Sequence, residues 1–144
     1  MEIITGFEAK ILHDGSIDCL KKYAEQNFII ASFHTVYKEK SIWKNALRNA
    51  IKDPLVNVIG HLAPEPTFVL EKNEVYEIAD NLVENDKIIE INAKYQRPSI
   101  EWIEIFLQRG VKFHLGSDAH SLKDIGNYDN IHNLIEIVNS YKNR

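Results

Sequence analysis

Apolar residues recur along this chain in two alternating rhythms. Short runs rich in Ile and Val read as buried strands, and longer segments with apolar residues three and four apart read as amphipathic helices. The first run covers residues 2–12, opening on Ile3-Ile4 and reaching Gly6-Phe7-Glu8. The others are Phe28-Ile29-Ile30-Ala31-Ser32, Val56-Asn57-Val58-Ile59, Ile88-Ile89-Glu90-Ile91 and residues 111–115. The helical stripes lie between them. Ile17, Leu20 and Ala24 follow a turn at Asp14-Gly15, with Ser16 the expected N-cap. Ile42, Ala46, Leu47, Ala50 and Ile51 follow Ser41 as cap and end at Asp53-Pro54. Val75, Ile78, Ala79, Leu82 and Val83 make a third stripe. Pro98-Ser99 opens a fourth, with Ile100, Ile103, Phe106 and Leu107, which Gly110 ends. Ile131, Leu134, Ile135, Val138 and Tyr141 make the last, and residues 62–72, with Pro64 and Pro66, read as loop. Five strand–helix alternations predict an α/β fold, one domain over residues 1–144, with a parallel sheet and helices packed outside it.

In such folds the chemistry sits at the carboxyl ends of the strands, whether the sheet is open or closed. Here every strand delivers a polar residue at that end: Glu8, then His34, then His61, then Glu90 and Asn92, then Asp118 and His120. Asp118 and His120 belong to Gly116-Ser117-Asp118-Ala119-His120 and are two apart, so extended backbone points them the same way. Carboxylates and imidazoles arriving in phase suit a metal site, with Glu8, His34, His61, Asp118 and His120 as ligands. Mixed nitrogen and oxygen donors without thiolate suit a divalent transition ion such as Zn, Mn or Fe, rather than Ca or a sulfur cluster. Glu8 has two oxygens and can bridge two ions. His13, beside the turn, reads as solvent-exposed; His114 and His132 are set aside as ligands. Tyr37, Lys38, Tyr95 and Arg97 fall on loops at the same end, where Tyr37, Lys38 and Arg97 could touch an anionic substrate.

Composition narrows the field without redirecting it. The chain has 144 residues, 44% hydrophobic and 26% charged, the balance of an ordinary globular domain. Net charge is −4, and no basic patch argues for nucleic acid. No apolar run approaches the ~18 residues of a membrane span, the N-terminus does not read as a signal peptide, and a cytoplasmic setting is expected. The one cysteine, Cys19, excludes an internal disulfide and reads as a small core residue on a helix. Trp43 and Trp102 fall on helices and read as packing.

The ordered motifs resemble those of a known family. Gly6-Phe7-Glu8-Ala9-Lys10, Asp14-Gly15-Ser16-Ile17-Asp18, Ala31-Ser32-Phe33-His34, Ile59-Gly60-His61, Glu90-Ile91-Asn92 and Gly116-Ser117-Asp118-Ala119-His120 are similar to successive motifs of the PHP (polymerase and histidinol phosphatase) family of metal-dependent phosphoesterases. The resemblance covers roughly residues 3–128. It implies a TIM-like barrel of about seven βα units with a cluster of two or three metal ions at the strand ends, and one to three ions are expected in this chain. It implies that Glu8 bridges two ions, that His34 and His61 complete one shell with it, that Asp118 serves a neighbouring ion and His120 a third. Glu8, Asp118 and His120 are then the catalytic set, and the reaction is hydrolysis of a phosphomonoester, histidinol-phosphatase-like, by metal-activated water. A small phosphorylated substrate is the expected partner; nucleotides and nucleic-acid ends are also compatible with the family, and a membrane is not expected.

One departure is large. The family opens on an H-x-H motif, and this chain has none; its histidines are 13, 34, 61, 114, 120 and 132. Gly60-His61-Leu62 also differs from the family's G-H-P. By this reading only the Glu8/His34/His61 shell keeps its ligands. About five strands do not close a barrel of about seven, so a partial or remodelled barrel is expected, or one closed by a second chain. The alternative is a scaffold that binds or assembles without turnover, or half of a larger PHP enzyme. Open edges predict a homodimer or larger species; light scattering that returns 16.7 kDa at high concentration would remove that expectation.

Overall fold

The computed structural model describes residues 2–142, the side chain of Lys142 excepted. Its sheet has five parallel strands in the order β1-β2-β3-β4-β5: β1 Gly6–Lys10, β2 Phe28–Ser32, β3 Val58–Ile59, β4 Ile88–Asn92 and β5 Lys112–Gly116. Between and after them come α1 Lys21–Ala24, α2 Lys40–Lys52, α3 Lys72–Glu84, α4 Ile100–Arg109 and α5 His132–Lys142. The sheet is open among the described residues: β1 and β5 each pair on one side, and no barrel closure is present.

The period of two along each strand sorts side chains between two faces. Ala9, Ile29, Ala31, Ile59 and Ile89 point to the helices and share one core with Trp43, Leu47, Val75, Leu82 and Phe106. Ile91 packs into a second cluster with Ile103, Leu107, Leu134 and Val138, which seats α5 on α4. The helices thus cover one face, as right-handed crossovers stepping steadily in one direction require. The intervening positions, including Glu8, Ser32, Gly60, Glu90, Asn92, His114 and Gly116, carry the other face and its upper rim.

The helix ends follow local chemistry. Ser99 Oγ accepts the Trp102 N–H at 3.4 Å, and Gly110 closes α4 at φ 82°, as expected. Two expected caps do not form. Ser16 donates both its N–H and its hydroxyl to Asp14 Oδ1, at 3.0 and 2.7 Å, which draws the Asp14 carboxyl below its usual range. Ile17 then bridges to Ile11, and α1 begins only at Lys21. Leu20 is consequently exposed rather than core, and Cys19 is half-buried ahead of the helix. Ser41 lies inside α2, whose N-cap is Glu39. Ile3 and Ile4 stand outside β1 and are exposed.

Glu74 ties α3 to α2. Its carboxylate takes Lys40 Nζ at 2.7 Å and Lys44 Nζ at 2.8 Å, and accepts the Glu71 N–H at 2.8 Å. Those contacts, the Lys40 hydrogen bond foremost, draw its pKa down to about 2. The folded pKa lies below the unfolded value, so the stabilisation is full above about 4.5 and is lost as pH falls toward about 2. Glu74→Gln is expected to cost at most about 1 kcal/mol at neutral pH. Its deficit against the parent should shrink through that acid window in urea melts.

Candidate metal centre

β1, β2 and β3 end side by side, and each releases one ligand at the rim. Glu8 lies in β1; His34 follows β2 by two residues; His61 follows Gly60 just beyond β3. His34 Nε2 lies 3.3 Å and His61 Nε2 3.2 Å from the same oxygen, Glu8 Oε1. The three donor atoms lie within 4.8 Å of one another. Two ligands at ~2.1 Å from one ion subtend about 3.4 Å at a tetrahedral angle, so the two gaps suit a shared divalent ion. His61 is buried, while Glu8 and His34 are partly open to solvent, at 40% and 45%. The site therefore has a wall and a mouth.

Behind the rim, one buried carboxylate holds the frame. Glu90 Oε2 accepts the His61 backbone N–H at 2.9 Å and an Asn92 Nδ2 hydrogen at 3.0 Å. Asn92 Nδ2 also reaches Asp118 Oδ2 at 3.3 Å, and Asn92 Oδ1 accepts the Tyr95 N–H at 2.9 Å. His61 and Asp118 both have positive φ, 29° and 48°, uncommon for residues with a Cβ. Their anchoring to Glu90 and Asn92 offsets that backbone cost. Two glycines make room for Glu90. A Cβ on Gly116 would stand 1.9 Å from Glu90 Oε1, and one on Gly60 would stand 2.3 Å from Ser32 Oγ and 3.3 Å from Glu90 Oε2.

The five ligands named from sequence thus fall into two groups. Glu8, His34 and His61 converge; Asp118 and His120 form a second pair, outside that cluster. His120 Nδ1 lies 2.8 Å from the Asp118 carbonyl and 3.4 Å from Asp118 Oδ1. Lys94, which sequence reasoning passed over, places Nζ 3.0 Å from His120 Nε2, 3.2 Å from His120 Nδ1 and 4.0 Å from Asp118 Oδ1. The only signal for it was its place two residues beyond Asn92 on the active rim.

Two clefts flank this frame. One, of about 310 Å³, is lined by His34, His61, Pro64, Glu65, Tyr95 and Arg97 among others. The Tyr95 ring stands 5.2 Å from His61, with the Arg97 guanidinium 5.8 Å from the Tyr95 ring. Arg97 therefore borders the centre. Lys38 is exposed and is not among the residues lining that cleft. Tyr37 corrects an expectation. It is buried, donates its hydroxyl to Ile11 O at 3.1 Å and packs edge-on against Phe33, so it belongs to the core and not to the exposed loop surface. Burial, foremost, raises its phenol pKa.

The remaining histidines lie outside the Glu8/His34/His61 cluster. His13 is exposed, with its ring against Tyr37. His132 pairs with Glu136 on α5 at 3.2 Å. His114, half-buried opposite Glu90 in the β4–β5 register, is pushed down in pKa by burial. Trp43 and Trp102 are both core, as expected.

Curated proteins similar to this chain share one description. A probable phosphatase of Caldanaerobacter subterraneus is 35% identical over 153 aligned positions, covering 96% of this chain and 59% of that protein. A probable phosphatase of Acetivibrio thermocellus is 31% identical, covering 96% and 61%. A probable phosphatase of Photobacterium profundum is 30% identical, covering 95% and 59%. The chain thus spans about three fifths of the length of the relatives it matches. No protein-family model matches it. No helix of the described residues is long and apolar enough to cross a membrane.

The glycine cradle is directly testable. Gly116→Ala is expected to cost roughly 1–3 kcal/mol, the range for overpacking a filled interior. In a Glu90→Ala background the same change should cost much less, because the atoms it meets are gone. Equal costs in both backgrounds, measured by urea denaturation, would show that Glu90 does not fill that space.

Proposed function

We propose that this chain carries the catalytic frame of a metal-dependent phosphoesterase of the PHP type, acting on a phosphomonoester. The convergence of His34 Nε2 and His61 Nε2 on one oxygen of Glu8 carries the reading. Relatives described as probable phosphatases over nearly all of the chain support it. Glu8, His34 and His61 would hold a divalent transition ion, Zn, Mn or Fe by donor chemistry. Bound there, such an ion supplies Lewis acidity toward a phosphoryl oxygen and acidifies water.

The chain's own groups supply the rest. Arg97, at the wall of the cleft beside His61, presents a planar donor fork that suits phosphate oxygens. Glu90 and Asn92 hold His61 and Asp118 at fixed positions while the phosphorus centre changes geometry, the support that transition-state stabilisation requires. His61 lies against Tyr95 and is shielded from bulk water, so charges there interact more strongly than at the surface. Hydrolysis adds the elements of water across the phosphorus–oxygen bond. The phosphoryl group takes the hydroxyl and the leaving alkoxide takes the proton that water gives up, which His120 Nε2 on the adjacent rim can accept and pass on.

One observation favours a second reading, a metal-holding scaffold without turnover. The Asp118/His120 pair engages Lys94 instead of joining the Glu8 cluster. The same experiment decides between them. Protein purified without chelators should hold one ion per chain by elemental analysis and hydrolyse a chromogenic phosphomonoester. Glu8→Ala should weaken metal binding by more than about 100-fold, since even loss of an outer partner approaches that figure. It should abolish turnover with it. Metal bound without hydrolysis would select the scaffold; no metal at Glu8 would defeat both.

A further inference from the structure

The Asp118/His120 pair has the build of a cation site and already has a cation beside it. The Asp118 carbonyl can only accept a hydrogen bond, so His120 Nδ1, 2.8 Å away, carries the ring proton. That leaves the Nε2 lone pair outward, the arrangement in which a backbone carbonyl orients a metal-ligating imidazole. Asp118 is 14% exposed; Asn92 engages its Oδ2, and its Oδ1 lies 3.4 Å from His120 Nδ1. Lys94 Nζ, a compact ammonium with donors only, stands 3.0 Å from Nε2, 3.2 Å from Nδ1 and 4.0 Å from Oδ1, against the imidazole rather than in line with the Nε2 lone pair. The surrounding cleft, about 230 Å³, is polar, with Ser117, Asp124, Asn127 and Asn130 on its wall.

We propose that Lys94 is the resident cation of the Asp118/His120 pair and excludes a divalent ion from it. The positive charge on this side of the rim is then covalently attached to the protein, and the chain holds one metal ion where its ligands could serve two. The inference builds on the Glu8/His34/His61 reading, but its test separates from it. Lys94 competes by charge: an ammonium within 3.2 Å of both ring nitrogens and 4.0 Å from Asp118 Oδ1 repels a divalent ion that approaches those donors. A side chain without charge at position 94 leaves both donors free. The cleft then offers an imidazole, a carboxylate and neighbouring amide oxygens to a hard or borderline ion.

The test is equilibrium binding of Mn²⁺, and separately Zn²⁺, by dialysis and elemental analysis on the full chain. The parent should bind one ion and Lys94→Met two. The added ion should disappear in Lys94→Met/Asp118→Asn and persist in Lys94→Met/Glu8→Ala. Lys94 is exposed, so Lys94→Met should leave the circular dichroism spectrum unchanged. A Lys94→Met chain that binds no more metal than the parent overturns the proposal. So does a parent that binds two ions and loses one on Asp118→Asn. Failure of the Glu8 site shows separately, as a Glu8→Ala chain that keeps the parent's metal content.

Discussion

The buried carboxylate of Glu90 is the constraint on which the site depends. A carboxylate removed from water must find hydrogen bonds or lose stability. It finds them in the His61 N–H, just beyond β3, and the Asn92 amide, at the end of β4. From Asn92 the chain of contacts continues to Asp118, beyond β5. Satisfying one charge therefore fixes the relative heights of three strand ends. Gly60 and Gly116 belong to the same arrangement, because the strands flanking β4 must leave the carboxylate its volume. Sequence motifs that look separate, Gly60-His61, Glu90-Ile91-Asn92 and Gly116-Ser117-Asp118, are three sides of one polar contact.

Much of this could be read from residue order. The five strands were marked by β-branched runs, and parallel pairing followed from the helices between them; β3 proved shorter and β5 began one residue later than expected. Glu8, His34 and His61 could be placed because the carboxyl end of a parallel strand is fixed by chain direction. Closer detail was lost where two local preferences competed. Ser16 had the look of a helix cap, but Asp14 offered it a nearer acceptor, and the helix retreated to Lys21. Tyr37 looked like a loop residue because it follows His34, but the loop folds back beneath β1, where Ile11 O accepts its hydroxyl. Lys94 carried no periodic signal at all; only the folded loop brings its ammonium to His120. Barrel closure could not follow from local patterns, since it depends on whether β1 and β5 find a partner.

The two halves of the rim solve the problem of charge differently. On the β1–β3 side, a carboxylate and two imidazoles converge on one point. On the β4–β5 side, the carboxylate and imidazole have a lysine within reach. Arg97 follows β4, on the loop that bridges back to Asn92, and lines the first cleft. An anion entering from that cleft would meet fixed positive charge beside the histidine pair.

The strict order of the sheet has a further effect, on how the chain reaches its fold. Each strand pairs with the next one along the sequence, and paired residues such as Phe7 and Ile29, or Val58 and Ile88, lie between 22 and 30 positions apart. No strand has to slip between two that are already paired. Loop-closure entropy is met in modest instalments, each followed by the burial of one helix. A polypeptide emerging from the ribosome could therefore dock its units in the order of synthesis, with the growing sheet edge as the template for the next strand.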